Sequence, residues 1–171
     1  MGGSFIKIEG LEKTLARFDI KKYEPQIQTC FDKFGVRVEL GAKQAVPVDE
    51  GKLKGSIFQQ PGRLSNTFGA SADYASFQEF GTRKFAASYV ASLPADWQKF
   101  AIQFKGGGGG SFEEFVMSLM GWCKRHGISE KAAYPIAIKI LRNGMAPQPF
   151  LYPAFNKAKD QLIKDLNAIK L

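Results

Sequence analysis

The stretch "AVPVDEGKLKGSI", Ala45 to Ile57, decides how the chain is read. It sets a proline, two acids, a glycine, two lysines and a small hydroxyl side chain between two apolar ends. An active-site loop, a phosphate cradle or a turn from helix to strand could each have this composition. Pro47 lacks the N–H that a helix arriving from upstream would need. Asp49 is placed to cap the backbone N–H of Gly51 or Lys52. Gly51 frees a tight backbone, Leu53 points to the core, and Ser56 starts a strand. The stretch therefore reads as a helix stop, a capped turn and a strand start.

Upstream, Ile27, Phe31, Phe34, Val38, Ala42 and Ala45 recur at steps of three and four. That spacing predicts one apolar stripe along a helix of about five or six turns, with Pro25 in its first turn. Before it, Phe5 to Gly10 alternates like a short strand, and Leu11, Leu15 and Phe18 take helical spacing. Downstream, strands are expected over 55–60 and 63–71, joined by a turn at Pro61 and Gly62. "DYASFQEFGT" ends at Gly81, either as a strand or as a short helix with a glycine cap.

The middle of the chain differs in character. Gly106 to Gly110 form a run of glycine expected to act as a flexible tether. No Lys-Ser or Lys-Thr pair follows them, as a phosphate-binding loop would require. Ser111 with Glu114 makes a capping box for a helix striped by Phe112, Phe115, Val116, Leu119, Trp122 and Cys123. A second helix is expected from Ser129 through Ile140, stopping near Gly144, with Pro135 marking a kink or a later start. At the close, Pro147, Pro149 and Pro153 precede a helix with Ala154, Ala158, Leu162, Leu166 and Ile169 on one face.

Charge and chemistry narrow the function. The net charge is +8, yet residues 1–60, 61–105, 106–149 and 150–171 each carry +2. A nucleic-acid binder usually gathers its basic residues on one face or arm, and no such gathering is visible here. Cys30 and Cys123 sit in apolar helical patterns without a disulfide framework, as in a reducing compartment. No stretch approaches the ~18 apolar residues of a membrane span. The expectation is a soluble protein, cytoplasmic when made.

His126 is the lone histidine, three residues after Cys123, and no second ligand pair with metal spacing exists. Neither a metal nor another cofactor is expected. Asp49, Glu50, Glu79 and Asp96 could in principle supply an acid/base pair. A small hydrolase would need Asp49 and Glu79 to converge, and nothing in the spacing forces them together.

Three blocks in order resemble one family. Pro47, Asp49, Gly51, Leu53 and Ser56 form the first. Tyr74, Ala75, Glu79, Phe80, Gly81 and Thr82 form the second, and Pro149, Phe150, Leu151, Pro153 and Ala154 the third. Together with "FIKIEGLEKTLARF" they are similar to the gene-product-ten-like tail-component family of long-tailed phages. The resemblance implies an α+β fold, with a small antiparallel sheet packed on a long helix. It places a core domain over 1–82 and 147–171, and a mainly helical insertion with a glycine-rich tether over 83–146. That insertion is longer than the family's usual link between its second and third blocks.

The resemblance implies no enzyme activity. It implies a structural subunit of the phage neck, of tail-completion or tail-terminator type, in a hexameric ring at the head–tail junction of the virion. The tail tube and head-connector proteins would be its partners, and DNA would pass through the lumen without specific binding. Asp49, Glu50, Lys52, Lys54, Glu79, Phe80 and Arg83 are then candidates for contacts between copies. Pro47, Gly51, Leu53, Ser56, Tyr74, Gly81, Phe150 and Pro153 are candidates for fixing the fold. The alternative is a basic nucleic-acid-binding module, favoured by an isoelectric point near 9.5.

Overall fold

The computed structural model describes residues 20–104 and 111–169. The strand expected over 5–9, the helix over 11–18 and the glycine tether lie outside them. Helix α1 (Ile20–Ala45) runs for 26 residues with Pro25 inside it. A short α2 (Lys52–Ser56) leads into the hairpin of β1 (Ile57–Gly62) and β2 (Ser65–Ala70). Then come α3 (Ala75–Phe80), α4 (Arg83–Ala91) and α5 (Ala95–Ile102). Helix α6 (Phe112–Arg125) is followed by a 3-10 turn (Glu130–Ala132), α7 (Ala133–Asn143) and α8 (Leu151–Asn167). The fold is α+β: a two-stranded antiparallel sheet beside a long helix.

The core lies where α1 meets α8. Phe34, Val38, Ala42 and Val46 face Phe150, Leu151, Ala154 and Ala158, joined by Leu53, Ile57 and Ala75. Small residues set how closely the two helices approach: a Cβ on Gly41 would stand 3.1 Å from that of Ala154. Burying each large side chain here contributes about 1.5–3 kcal/mol. Phe34, Phe68 and Phe155 close an aromatic triangle with centroids 5.5–5.9 Å apart. The buried stripe of α1 ends on Val46, whereas Ala45, expected to end it, is exposed. Val46 still donates its N–H to the Ala42 carbonyl, so its side chain keeps the helical phase.

The hairpin turns later than expected. Pro61 and Gly62 lie in the ladder opposite Asn66 and Ser65, and the reversal falls on Arg63 and Leu64. Long-range partners on α1 hold it there. Gln28 donates its amide to the Gly62 carbonyl and accepts the Leu64 N–H at 2.7 Å. Arg63 forks onto the Glu24 carboxylate. Strand β1 also starts later, at Ile57, because Ser56 ends α2 with its hydroxyl donated to the Leu53 carbonyl. Gln28→Ala should cost about 1–2 kcal/mol, chiefly from its two hydrogen bonds to the hairpin lost together. Urea melts read the loss, and unchanged amide exchange at the hairpin tip would refute the role.

The insertion is not a separate globule throughout. Trp97 of α5 packs edge-on against Tyr152 and Phe155 of α8. Phe100 and Phe104 meet Phe80 of α3. Helices α6 and α7 cover each other instead, burying Cys123, Ala133 and Ala137 completely. The capping box opens α6: Ser111 and Glu114 each accept the other's backbone N–H. Pro135 is the third residue of α7, so it marks the later start and not a kink.

Candidate functional site

Two of the carboxylates considered for chemistry have separate structural employments. Asp49 accepts a fork from Arg125 of α6, at 3.0 Å from Nε and 2.6 Å from Nη2. Glu50 pairs with Lys52 at 2.6 Å and with Arg125 at 2.9 Å. Asp49 is therefore a clasp across 76 residues of sequence, not the local cap expected of it, and α2 has no side-chain cap at Gly51. The hydrogen-bonded guanidinium holds the Asp49 carboxyl below its ordinary 3.8. The Lys52 ammonium does the same for Glu50.

Both carboxyls are depressed, so the folded chain binds fewer protons than the unfolded one as acid is added. The clasp is complete above the ordinary carboxylate range and is lost as pH falls through the folded values, below 3.8 for Asp49. Its groups are exposed, so its global contribution is small. Asp49→Asn should raise amide exchange at the end of α6 near Lys124 and leave α1 unchanged. Equal exchange in both proteins would remove the clasp.

Glu79 sits elsewhere and does something different. It is 3% exposed. Its Oε2 accepts the N–H groups of Phe150 and Leu151 at 2.8 Å, and its Oε1 accepts that of Tyr152 at 2.9 Å. Those are orphan donors of the first turn of α8, where Phe150 stands at the N-cap without a capping side chain. An acid in α3 thus caps a helix that begins 72 residues later. Burial pushes its carboxyl above the ordinary 4.5, with the three N–H donors pulling the other way. Nearby, the Tyr89 hydroxyl is buried without a hydrogen-bond partner among the described residues. Burial, and then the Glu79 charge, push it up to about 12.

Glu79 and Phe80 are therefore corrected as contact candidates. Both side chains are buried inside the chain and offer no surface to a neighbour. Asp49, Glu50, Lys52, Lys54 and Arg83 are exposed. Among the fold-fixing candidates, Leu53 and Phe150 are core residues, Pro153 is the third residue of α8, and Tyr74 precedes α3 with its ring half exposed. Pro47 follows the end of α1 and is exposed. His126 stacks on Trp122 at 4.4 Å and its Nδ1 lies 2.9 Å from the Trp122 carbonyl oxygen, while the Cys123 thiol is fully buried. No three His, Cys, Asp or Glu side chains gather among the described residues. No helix among them is long and apolar enough to cross a membrane.

The insertion leaves and rejoins the core at one crossing. Thr82 donates its N–H to the Met145 carbonyl, and its hydroxyl accepts the Met145 N–H at 2.7 Å. Gly81 and Gly144 flank the crossing at φ 72 and 85. A Cβ on Gly144 would lie 2.3 Å from the Thr82 carbonyl oxygen, and one on Gly81 2.7 Å from that of Met145. Arg83 follows at φ 54, a left-handed conformation for a residue with a side chain.

The crossing is also the root of a cleft. Two cavities of about 570 and 700 Å³ share Phe77, Thr82 and Arg83 in their linings. No family model, no curated protein and no solved structure matches the chain. Three things had escaped the sequence: Arg125 as the partner of Asp49, Gln28 as the grip on the hairpin, and Glu79 as a cap. A helix opening on Pro-Gln-Pro-Phe without Ser, Thr, Asp or Asn at its cap was the available signal for the last.

Proposed function

We propose that the chain is a structural subunit of a phage neck, a tail-completion or tail-terminator-type ring protein that joins the tail tube to the head connector. The observation that carries the reading is how the three blocks meet. Glu79 of the second block caps the helix opened by the third, and Leu53 of the first lies in the same core as Phe150 and Leu151. Blocks far apart in the chain thus act as one fold-fixing unit, as a shared subunit fold requires. The surface adds support. Val36, Leu40, Val48, Ile102, Met117 and Tyr134 are large apolar residues from 45% to 68% exposed, and assembly would cover such surface.

A head-to-tail contact that closes gives a ring, here expected to be hexameric. The subunit would form in the host cytoplasm and end in the virion, with DNA passing through the lumen. Arg37, Arg63 and Arg125 are each paired with a carboxylate, which speaks against the nucleic-acid-binding alternative. Light scattering across a concentration series, with negative-stain images of any large species, tests the reading. Closed rings of one size are the expected result. Monomers that bind duplex DNA with a steep salt dependence would overturn it.

A further inference from the structure

The cleft at Arg83 is walled by two helical hairpins. Val90, Ile102 and Phe104 line it on the α4–α5 side, and Phe112, Phe115 and Leu141 on the α6–α7 side. Ile102, Phe104 and Leu141 remain exposed. The Arg83 guanidinium at its root has no hydrogen bond or ion pair among the described residues. Its left-handed backbone is an outlier of the kind that accumulates at binding sites.

The matching shape is on the same chain. Glu113, Met117 and Met120 stand at i, i+4 and i+7 on α6, one exposed ridge. Met117 is 68% exposed, the most of any large apolar residue described. The Glu113 carboxylate, like the Arg83 guanidinium, has no partner among the described residues. Glu113 and Met117 each lie two positions from Phe115, about 200° round the helix. Ridge and cleft therefore occupy opposite sides of one hairpin, so a copy cannot fill its own cleft with its own ridge.

We infer that the ridge of one copy seats in the Arg83 cleft of the next, with Glu113 paired to Arg83 and the two methionines against the apolar walls. The contact is heterologous and leaves a free ridge and a free cleft at its ends, which is what a ring repeats. Methionine suits the role because it fits an irregular apolar wall without a fixed rotamer. The inference rests on the ring reading, and names its contact.

Disulfide trapping tests it directly. Cys30 and Cys123 are buried, so Arg83→Cys and Glu113→Cys chains can be mixed and oxidised with Lys54→Cys plus Glu113→Cys as the comparison. A cross-linked dimer from the first pair, in clear excess over the second, is expected. Charge reversal gives the second arm. Arg83→Glu and Glu113→Arg should each lower the associated fraction about tenfold, and the double variant should restore it. Circular dichroism should be unchanged in all three, since both residues are exposed. Rings that form without the 83–113 cross-link would overturn this contact and leave the ring reading standing. A chain that stays monomeric at every concentration, gives no cross-link and binds duplex DNA with a steep salt dependence would overturn both.

Discussion

Glu79→Ala is expected to destabilise the chain by about 3–5 kcal/mol, the largest loss among single changes outside the apolar core. The carboxylate is the acceptor for three backbone N–H groups, and water cannot replace it where Phe150 is 1% and Leu151 6% exposed. Losing a helix cap costs about 0.5–2 kcal/mol at a surface. Here each stranded donor adds a desolvation cost of about 1–3 kcal/mol, partly relieved by fraying of the first turn. Glu79→Gln should lose less, because its one carbonyl oxygen can still accept while its amide faces an N–H. Urea denaturation measures both. A loss below about 1 kcal/mol for the alanine variant would mean the first turn of α8 has another acceptor.

The same residue gives a pH test. Burial raises the Glu79 carboxyl above the ordinary 4.5, so between that value and the raised one the folded chain holds a proton that the unfolded chain has released. The stabilisation is therefore full below the ordinary value and is lost as pH rises through the raised one. Measured against Glu79→Gln, which does not titrate, the wild-type advantage should shrink with rising pH across that window. An advantage that grows instead would mean the three N–H donors outweigh burial.

Gly144→Ala is the second large expectation, at about 3 kcal/mol or more. Part of this is torsional, about 1–3 kcal/mol, because φ 85 with ψ 177 is a region essentially confined to glycine. The rest is steric, because the new Cβ would sit 2.3 Å from the Thr82 carbonyl oxygen and 2.9 Å from its carbon, both backbone atoms. Gly51→Ala gives the comparison, a positive-φ glycine without a clash. Gly51 has φ 78 and ψ −2, the milder left-handed helical region, and nothing within 4 Å of a Cβ, so it should cost only about 1–2 kcal/mol. Equal losses at 51 and 144 in thermal or urea melts would show that the crossing has slack.

What could be read in advance follows the range of the interaction. The α1 stripe from Phe34 to Ala42 and the Ser111–Glu114 capping box need only neighbours within a turn or two, and both were legible. The hairpin was misplaced because Pro61-Gly62 is a strong local turn signal. Gln28 and Glu24, over thirty residues away, outweigh it by holding Gly62, Arg63 and Leu64. Glu79 was misread for the same reason. Locally it is an acid on a short amphipathic segment, which suggests solvent, and its donors arrive only when α8 docks. Asp49 likewise found a guanidinium on a distant helix in place of the neighbouring N–H.

The paired contact of Thr82 with Met145 has a consequence for how such a chain can change. It makes everything between those residues a detour that begins and ends at one point of the frame. The entropy of closing a loop grows only with the logarithm of its length, about 0.6 kcal/mol for each doubling. A lineage could therefore lengthen, shorten or exchange the α6–α7 hairpin while the junction of Glu79 with α8 stays as it is. The frame would be inherited, and the detour would carry whatever is particular to one assembly.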